Sequence, residues 1–558
     1  MTSKSGQPSL RRALAMLAGL FLIVFSANSH GLLQLETGSL ALAQGGGRTP
    51  TGGQPWDLKE RDQPGQFTFY DSPAEASLIG QPLTAGDLDG NGCGDLAVGA
   101  LNASFARPDA FRSQAGHVRV IMNICDLNGQ VDVEALDETD MQVLTFYGAR
   151  RQDTLGAGVY IDDFNGDGYD DLLMSAPNND GTQGGRFNAG AVYWLAGGPN
   201  FADREDIDLL EPPDDLLVIY GAQETARLGM WVDGGDFDGD GFQDILMGAT
   251  EADGENAARP NAGEVWIVFG GEDMLGTYGT LLDLLFPPED ATRIIGPDPD
   301  DLFGSTVFGA DLNGDGYDEV IASAALYRGS GGVEGLSFGG GDGPANRRYN
   351  AGDTFIIFGD RGFRGRSIDL ARRIDANGAP TNSSVTAIYG LDVNDFLGEE
   401  IYVGDLNGDG QPELILGTLV SNGRNNQFEG AGEAWVISTR EPFAGQMIDL
   451  ASPTDRAVVI HVDQAYAKAG DTVEVIDIDQ DGYGDLMFGA PTYSVVGYDG
   501  VQRSQAGVLA VIYGDDWPDG LPPNVGGELL LFDPPGEARI QYIVAADPND
   551  MMAYHLTA

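Results

Sequence analysis

The chain has 558 residues, 42% of them hydrophobic, with 82 glycines, two cysteines and a formal net charge of -56. A field of that sign repels nucleic acid and anionic lipid surfaces and excludes both as main partners. Lysine occurs only at Lys4, Lys59 and Lys468, a balance that fits solubility alone, a saline habitat or a GC-rich genome.

At the start, Arg11 and Arg12 precede an apolar run over residues 13–25. It is too short to cross a bilayer comfortably and reads as the core of a secretory signal peptide. Residues 1–43 are the expected leader, with cleavage after Ala43 in Ala41-Leu42-Ala43 or, alternatively, after Ser29; an uncleaved anchor is the other reading. Residues 44–66, rich in glycine, proline and charge, read as a flexible linker, and 67–558 as one large β domain. The expected location is secreted or cell-surface, with no membrane insertion once the leader is removed.

One acidic nine-residue loop then recurs six times, beginning at Asp87, Asp163, Asp236, Asp311, Asp405 and Asp477, with separations of 76, 73, 75, 94 and 72 residues. A long repeat of this kind means an array of similar units. Oxygen side chains fall at positions 1, 3, 5 and 9. They are Asp87, Asp89, Asn91 and Asp95; Asp163, Asn165, Asp167 and Asp171; Asp236, Asp238, Asp240 and Asp244. The later copies supply Asp311, Asn313, Asp315 and Glu319; Asp405, Asn407, Asp409 and Glu413; Asp477, Asp479, Asp481 and Asp485. Three or four carboxylates converging on one point would repel each other without a cation, and calcium accepts six to eight oxygens in a flexible shell. About six calcium sites are therefore expected. Glycine at position 6, and in five copies at position 4, permits tight wrapping.

An EF-hand would need a bidentate acid at position 12 and flanking helices. Position 12 holds Val98, Met174, Met247, Ala322, Leu416 and Phe488, and the flanks are short apolar runs closed by glycine or proline, the signature of strands. Each loop is thus a hairpin turn. A metal-free turn rich in aspartate and glycine is the bland alternative, but six copies of one oxygen pattern exceed what a turn requires.

Glycine-marked third strands begin at Gly116, Gly190, Gly263, Gly352, Gly432 and Gly507, and fourth strands follow near Val143, Leu217, Arg293, Val385, Val458 and Arg539. Four antiparallel strands per unit, stacked radially, make an all-β fold, a β-propeller. The motifs Leu155-Gly156, Leu228-Gly229, Phe303-Gly304 and Leu397-Gly398, the acidic loop, and Gly489-Ala490-Pro491 make the chain resemble the FG-GAP repeats of the integrin α-subunit propeller. That family usually closes seven blades, and here six units are complete. The stretch from Ala538 to Ala558 matches that from Thr292 to Ala310, ending where a seventh acidic loop would start. The lone strand-like Phe67-Thr68-Phe69-Tyr70 would, by the resemblance, close the last blade against the C-terminal strands. Six complete units plus a partial seventh are expected, with a closed six-blade ring as the alternative.

Cys93, inside the first loop, and Cys125, at the end of that blade's third strand, lie on one face of a four-strand meander, which makes a disulfide plausible in an exported protein. Catalytic constellations are scarce. His117, His461 and His555 fall in strand-like runs of different blades, and Gly335-Leu336-Ser337-Phe338-Gly339 lacks the strand-turn-helix context of a nucleophile elbow. The chain reads as a non-enzyme.

Surface for binding remains. Arginine recurs just before the third strand at Arg112, Arg186, Arg259, Arg348 and Arg503. These residues either bridge to a neighbouring blade's acid or carbonyl or form a guanidinium ring that grips carboxylates or sulfated sugars. The fourth unit carries an insertion in which Arg328, Phe338, Arg348 and Tyr349 are the candidate ligand-binding residues, since arginine and aromatics anchor interfaces. The expected function is an exported calcium-binding adhesion or recognition module for an extracellular protein, with a carbohydrate-binding propeller of lectin type as the alternative and a lyase or lipase relative as a third, weaker reading.

Overall fold

A computed structural model of the chain describes residues 23–26, 56–57, 67–70 and 82–557, apart from 108–109, 127–128, 133–141, 327–338, 453, 497–499, 525, 537 and 546–551. Six sheets repeat one plan, in which four consecutive antiparallel strands are joined by a short parallel fifth. Blade 1 comprises Leu83–Gly86, Asp95–Ala100, His117–Ile121 and Val143–Tyr147, and blade 2 Val159–Asp162, Asp171–Ala176, Ala191–Leu195 and Leu216–Tyr220. The later fourth strands start at Thr292, Val385, Ala457 and Ile540, each within one residue of the sequence expectation. First strands of successive blades touch around the axis.

The second strand of every blade is buried along its whole length. It packs between neighbouring blades on both faces, so it reads as a continuous apolar run instead of an alternating one. The apolar clusters accordingly span blade pairs: Leu172, Met174 and Tyr193 of blade 2 pack with Ala97, Val118 and Phe146 of blade 1.

A single hydrogen bond repeats between blades. The N–H groups of Leu155, Leu228, Phe303, Leu397 and Ala469 donate to the carbonyls of Ala115, Ala189, Ala262, Ala351 and Ala431 at 2.8–3.0 Å, and Met552 N–H donates to Ala506 at 3.0 Å. The Leu-Gly and Phe-Gly dipeptides are therefore docking points on the preceding blade. Met552 occupies the same point after blade 6, and its strand, Met552–Thr557, touches both blade 6 and the first strand of blade 1. A seventh blade thus begins there, which rules out the closed six-blade ring.

Two N-terminal expectations change. Phe67–Tyr70 pairs in parallel with Gly129–Asp132, not with the C-terminal strands. The pairing of Tyr70 with Asp132 copies that of Tyr147 with Asp208, so the segment takes the place of a fourth strand. Trp56–Asp57, within the stretch read as a linker, is the parallel fifth strand of blade 6, paired with Ile543 and Val544. Ile23–Ser26, inside the expected leader, pairs with Met552–Thr557. Among the described residues no helix is long and apolar enough to cross a membrane.

Candidate metal centres

Each acidic loop joins the first two strands of its blade and has one internal framework. The position-1 carboxylate accepts the backbone N–H groups of positions 5 and 6: Asp163 from Asp167 and Gly168 at 3.2 and 3.0 Å, Asp477 from Asp481 and Gly482 at 3.0 and 2.9 Å. The position-9 acid, at the head of the second strand, accepts the N–H of position 2, as Asp171 does from Phe164 at 3.1 Å and Glu319 from Leu312 at 2.7 Å. Asp87, Asp236, Asp311 and Asp405 hold their loops in the same way.

Folding thus gathers acids that oppose one another. In the first, third and sixth loops the carboxylate oxygens of Asp87, Asp89 and Asp95, of Asp236, Asp238 and Asp244, and of Asp477, Asp479 and Asp485 lie within 4.8 Å of one another. The second, fourth and fifth loops have asparagine at position 3 and so bring fewer carboxylates together. Burial pushes the position-9 acids up, with loop aspartates adding and backbone N–H groups opposing: Asp95 and Asp485 to about 7, Asp171, Asp244 and Glu413 to about 8, Glu319 to about 9. A donor set of hard oxygens whose charge is costly until neutralised fits a calcium ion.

Between loops, an aromatic at position 7 lies on the position-4 glycine of the preceding loop. Tyr169 covers Gly90, Phe242 covers Gly166, Tyr317 covers Gly239 and Tyr483 covers Gly408. The sequence reading missed this contact, although its signal, an aromatic after the second glycine, was in plain view. The fifth loop has Gln411 there, and Gly314 before it faces open space. In blade 1, Cys93 and Cys125 are joined as a disulfide, with their Cα atoms 5.7 Å apart.

The arginines before the third strands are paired. Arg112 reaches Asp208 at 2.6 Å, Arg186 reaches Asp283 at 2.7 Å, Arg259 reaches Asp369 and Arg348 reaches Asp449, both at 2.6 Å. Every acid partner ends a parallel fifth strand supplied by the next unit. In unit five, which lacks the arginine, Arg424 reaches Glu528 at 2.7 Å. For these four arginines the structure therefore selects the bridge between units, while Arg503 donates to the carbonyl of Ala545 at 2.6 Å. Burial would raise Asp208 and Asp283, but the guanidinium bonds outweigh it and hold both below the usual carboxylate range. Arg348 is consequently committed to a structural pair, whereas Tyr349 is 60% exposed. Arg328 and Phe338 lie outside the described residues.

One further cavity, of about 370 Å³, opens on blade 5 and is lined by Asp395, Ser421, Asn426, Glu433, Trp435 and His461. Nδ1 of His461 lies 3.1 Å from Oε2 of Glu433, both side chains being buried. His461 replaces the tyrosine that ends the fourth strand in blades 1, 2 and 4.

A family model described as FG-GAP repeat matches residues 155–194 and 228–268. A phosphatidylinositol-glycan-specific phospholipase D of Dictyostelium discoideum is 29% identical over 197 residues, 34% of this chain and 19% of that protein. Integrin alpha-5 of Xenopus laevis is 32% identical over 181 residues, 32% of this chain and 15% of that protein. An Agrocybe aegerita lectin structure aligns over 89% of this chain and 88% of its own, at 14% identity and a TM-score of 0.37. The chain is a β-propeller that carries FG-GAP repeats, and over about a third of its length it is similar to an integrin alpha subunit and to a phosphatidylinositol-glycan-specific phospholipase D. The matched stretches span a fifth or less of those two curated relatives.

Proposed function

We propose that the chain is an exported, calcium-binding propeller that recognises an extracellular protein and catalyses nothing itself. The observation that carries this reading is the sixfold acidic loop with its shared hydrogen-bond framework, which in the first, third and sixth copies brings three carboxylates together while burial makes the charge of the position-9 acid costly. Calcium would be held by the residues at positions 1, 3, 5 and 9 of each loop, and would supply positive charge that fixes the hairpins on one face of the ring. The similarity to integrin alpha-5 supports recognition of a protein, and the contact would lie on the opposite rim, where Tyr349 at the foot of the fourth-unit insertion is exposed. Residues 1–43 would direct export.

A second reading rests on the blade-5 cavity. Trp435 beside Glu433, Asp395 and Asn426 offers an apolar wall with hydrogen-bonding groups, the combination that holds a sugar ring. Binding of residues 44–558 to a glycan array in about 2 mM calcium, with an EGTA control, separates the two. Calcium-dependent retention of one sugar class, lost in Glu433→Gln, would favour the sugar reading. A blank array from a folded, calcium-stabilised protein favours a protein ligand.

A further inference from the structure

Two of the six loops differ from the rest. The third and sixth carry aspartate at all four ligand positions, whereas each of the others has one asparagine. These same two loops are met by an arginine from outside. Arg364 pairs with Asp238 and Asp240, positions 3 and 5 of the third loop. Arg539 pairs with Asp479 at 2.8 Å and Asp481 at 3.7 Å, positions 3 and 5 of the sixth. Each guanidinium lies 4.7 Å from the centre of an aromatic ring, Phe269 or Tyr513, the residue that directly follows the third strand of the blade.

The two arginines are not equivalent in the repeat. Arg364 comes from the connection after the third strand of blade 4, and Arg539 from the residue just before the fourth strand of blade 6. Different parts of the chain therefore deliver one arrangement to the two loops that need it. Counted as fully ionised, the ligand side chains carry four negative charges in the third and sixth loops and three in the other four; with the arginine included, every loop has a formal charge of -3.

We propose that Arg364 and Arg539 are built-in counter-cations that hold these two loops at the charge of their neighbours and so set how tightly they take calcium. The proposal rests on the calcium reading above. A guanidinium held against positions 3 and 5 repels the ion entering between them and stabilises the loop when it is empty. The aromatic ring beneath it keeps the side chain in place through its π-face.

The test is a calcium titration of the full chain carrying Arg364→Gln and Arg539→Gln, compared with wild type, together with melts in EGTA. A unit charge removed from about 6 Å of a divalent ion raises affinity by about tenfold even at the dielectric of water. Two of the six sites should therefore fill at about tenfold lower free calcium, while the EGTA melt falls. Adding Asp238→Asn and Asp479→Asn restores the charge and should return both values towards wild type. Unchanged or weakened affinity in the arginine variants would overturn the proposal, leaving packing on Phe269 and Tyr513 as the arginines' whole role. If wild type binds no calcium, the calcium reading fails by itself. The EGTA melts then decide the counter-cation role: loss in the arginine variants with recovery in the charge-restored ones upholds it, and equal melts overturn it.

Discussion

The ring of Tyr169 in the second loop lies directly over Gly90 of the first, and no side chain could stand between them. Gly90 also has φ +71°, so two separate constraints demand glycine there. The contact recurs at three more loop pairs and ties the acidic loops into a belt on one face.

Gly166→Ala should therefore cost more than Gly314→Ala. Both glycines have φ +72°, for which a side chain costs about 1–2 kcal/mol. A Cβ at Gly166 would also stand 2.6 Å from the Phe242 ring, while at Gly314 nothing lies within 4 Å. Urea denaturation of both variants in calcium checks this; equal losses would show that the aromatic contact is incidental.

Removing a bridge between units should loosen the fifth strand it anchors. Arg186→Ala leaves Asp283 without its guanidinium partner, and we expect a loss of about 1–2 kcal/mol, given that both side chains are partly exposed. Because Asp283 is held below its ordinary value when folded, the bridge's contribution is present above the unfolded carboxylate pKa and disappears as pH falls through the folded one. Wild type and variant should converge in urea melts as pH falls below the ordinary carboxylate range.

Other acids act in the opposite sense. Asp153, Asp301 and Asp395, buried just before the Leu-Gly or Phe-Gly docking points, are pushed up by burial to about 8, 9 and 8. The folded state keeps protons that the unfolded chain releases above about pH 4, so stability falls as pH rises from there towards 9. Asp301→Asn should flatten this slope in melts between pH 5.5 and 9. An unaltered slope would assign the dependence to other groups.

Calcium removal should lower the melting temperature. A site filled at a hundred times its dissociation constant adds about 2.7 kcal/mol, and several such sites shift the transition by many degrees. A melt unchanged in EGTA would end the metal reading.

The acidic loops and the third and fourth strands were legible because each is marked by residues that tolerate little substitution: oxygen donors at fixed spacing, and glycines where a neighbouring backbone passes close. The fifth strands were not legible. Ile207–Asp208 is two residues long, too short for any periodicity, and its partner lies in the preceding unit. Arg364 gave no signal for a similar reason, since it sits outside any repeated position and meets Asp238 only after two blades have packed. A bridge from Arg112 to a neighbouring blade was one of two options in the sequence; that its partner is Asp208 needed the parallel register that places this acid beside Tyr147.

Trp56 and Asp57 complete a sheet whose other strands lie near the far end of the chain. During synthesis these residues leave the ribosome early, yet they have no place to settle until blade 6 has been made. Blade 6 is therefore completed by residues made long before the rest of its sheet. Closing so long a loop is slow, and until these residues dock, blade 6 keeps an unfilled strand edge, which exposes it to pairing with another chain.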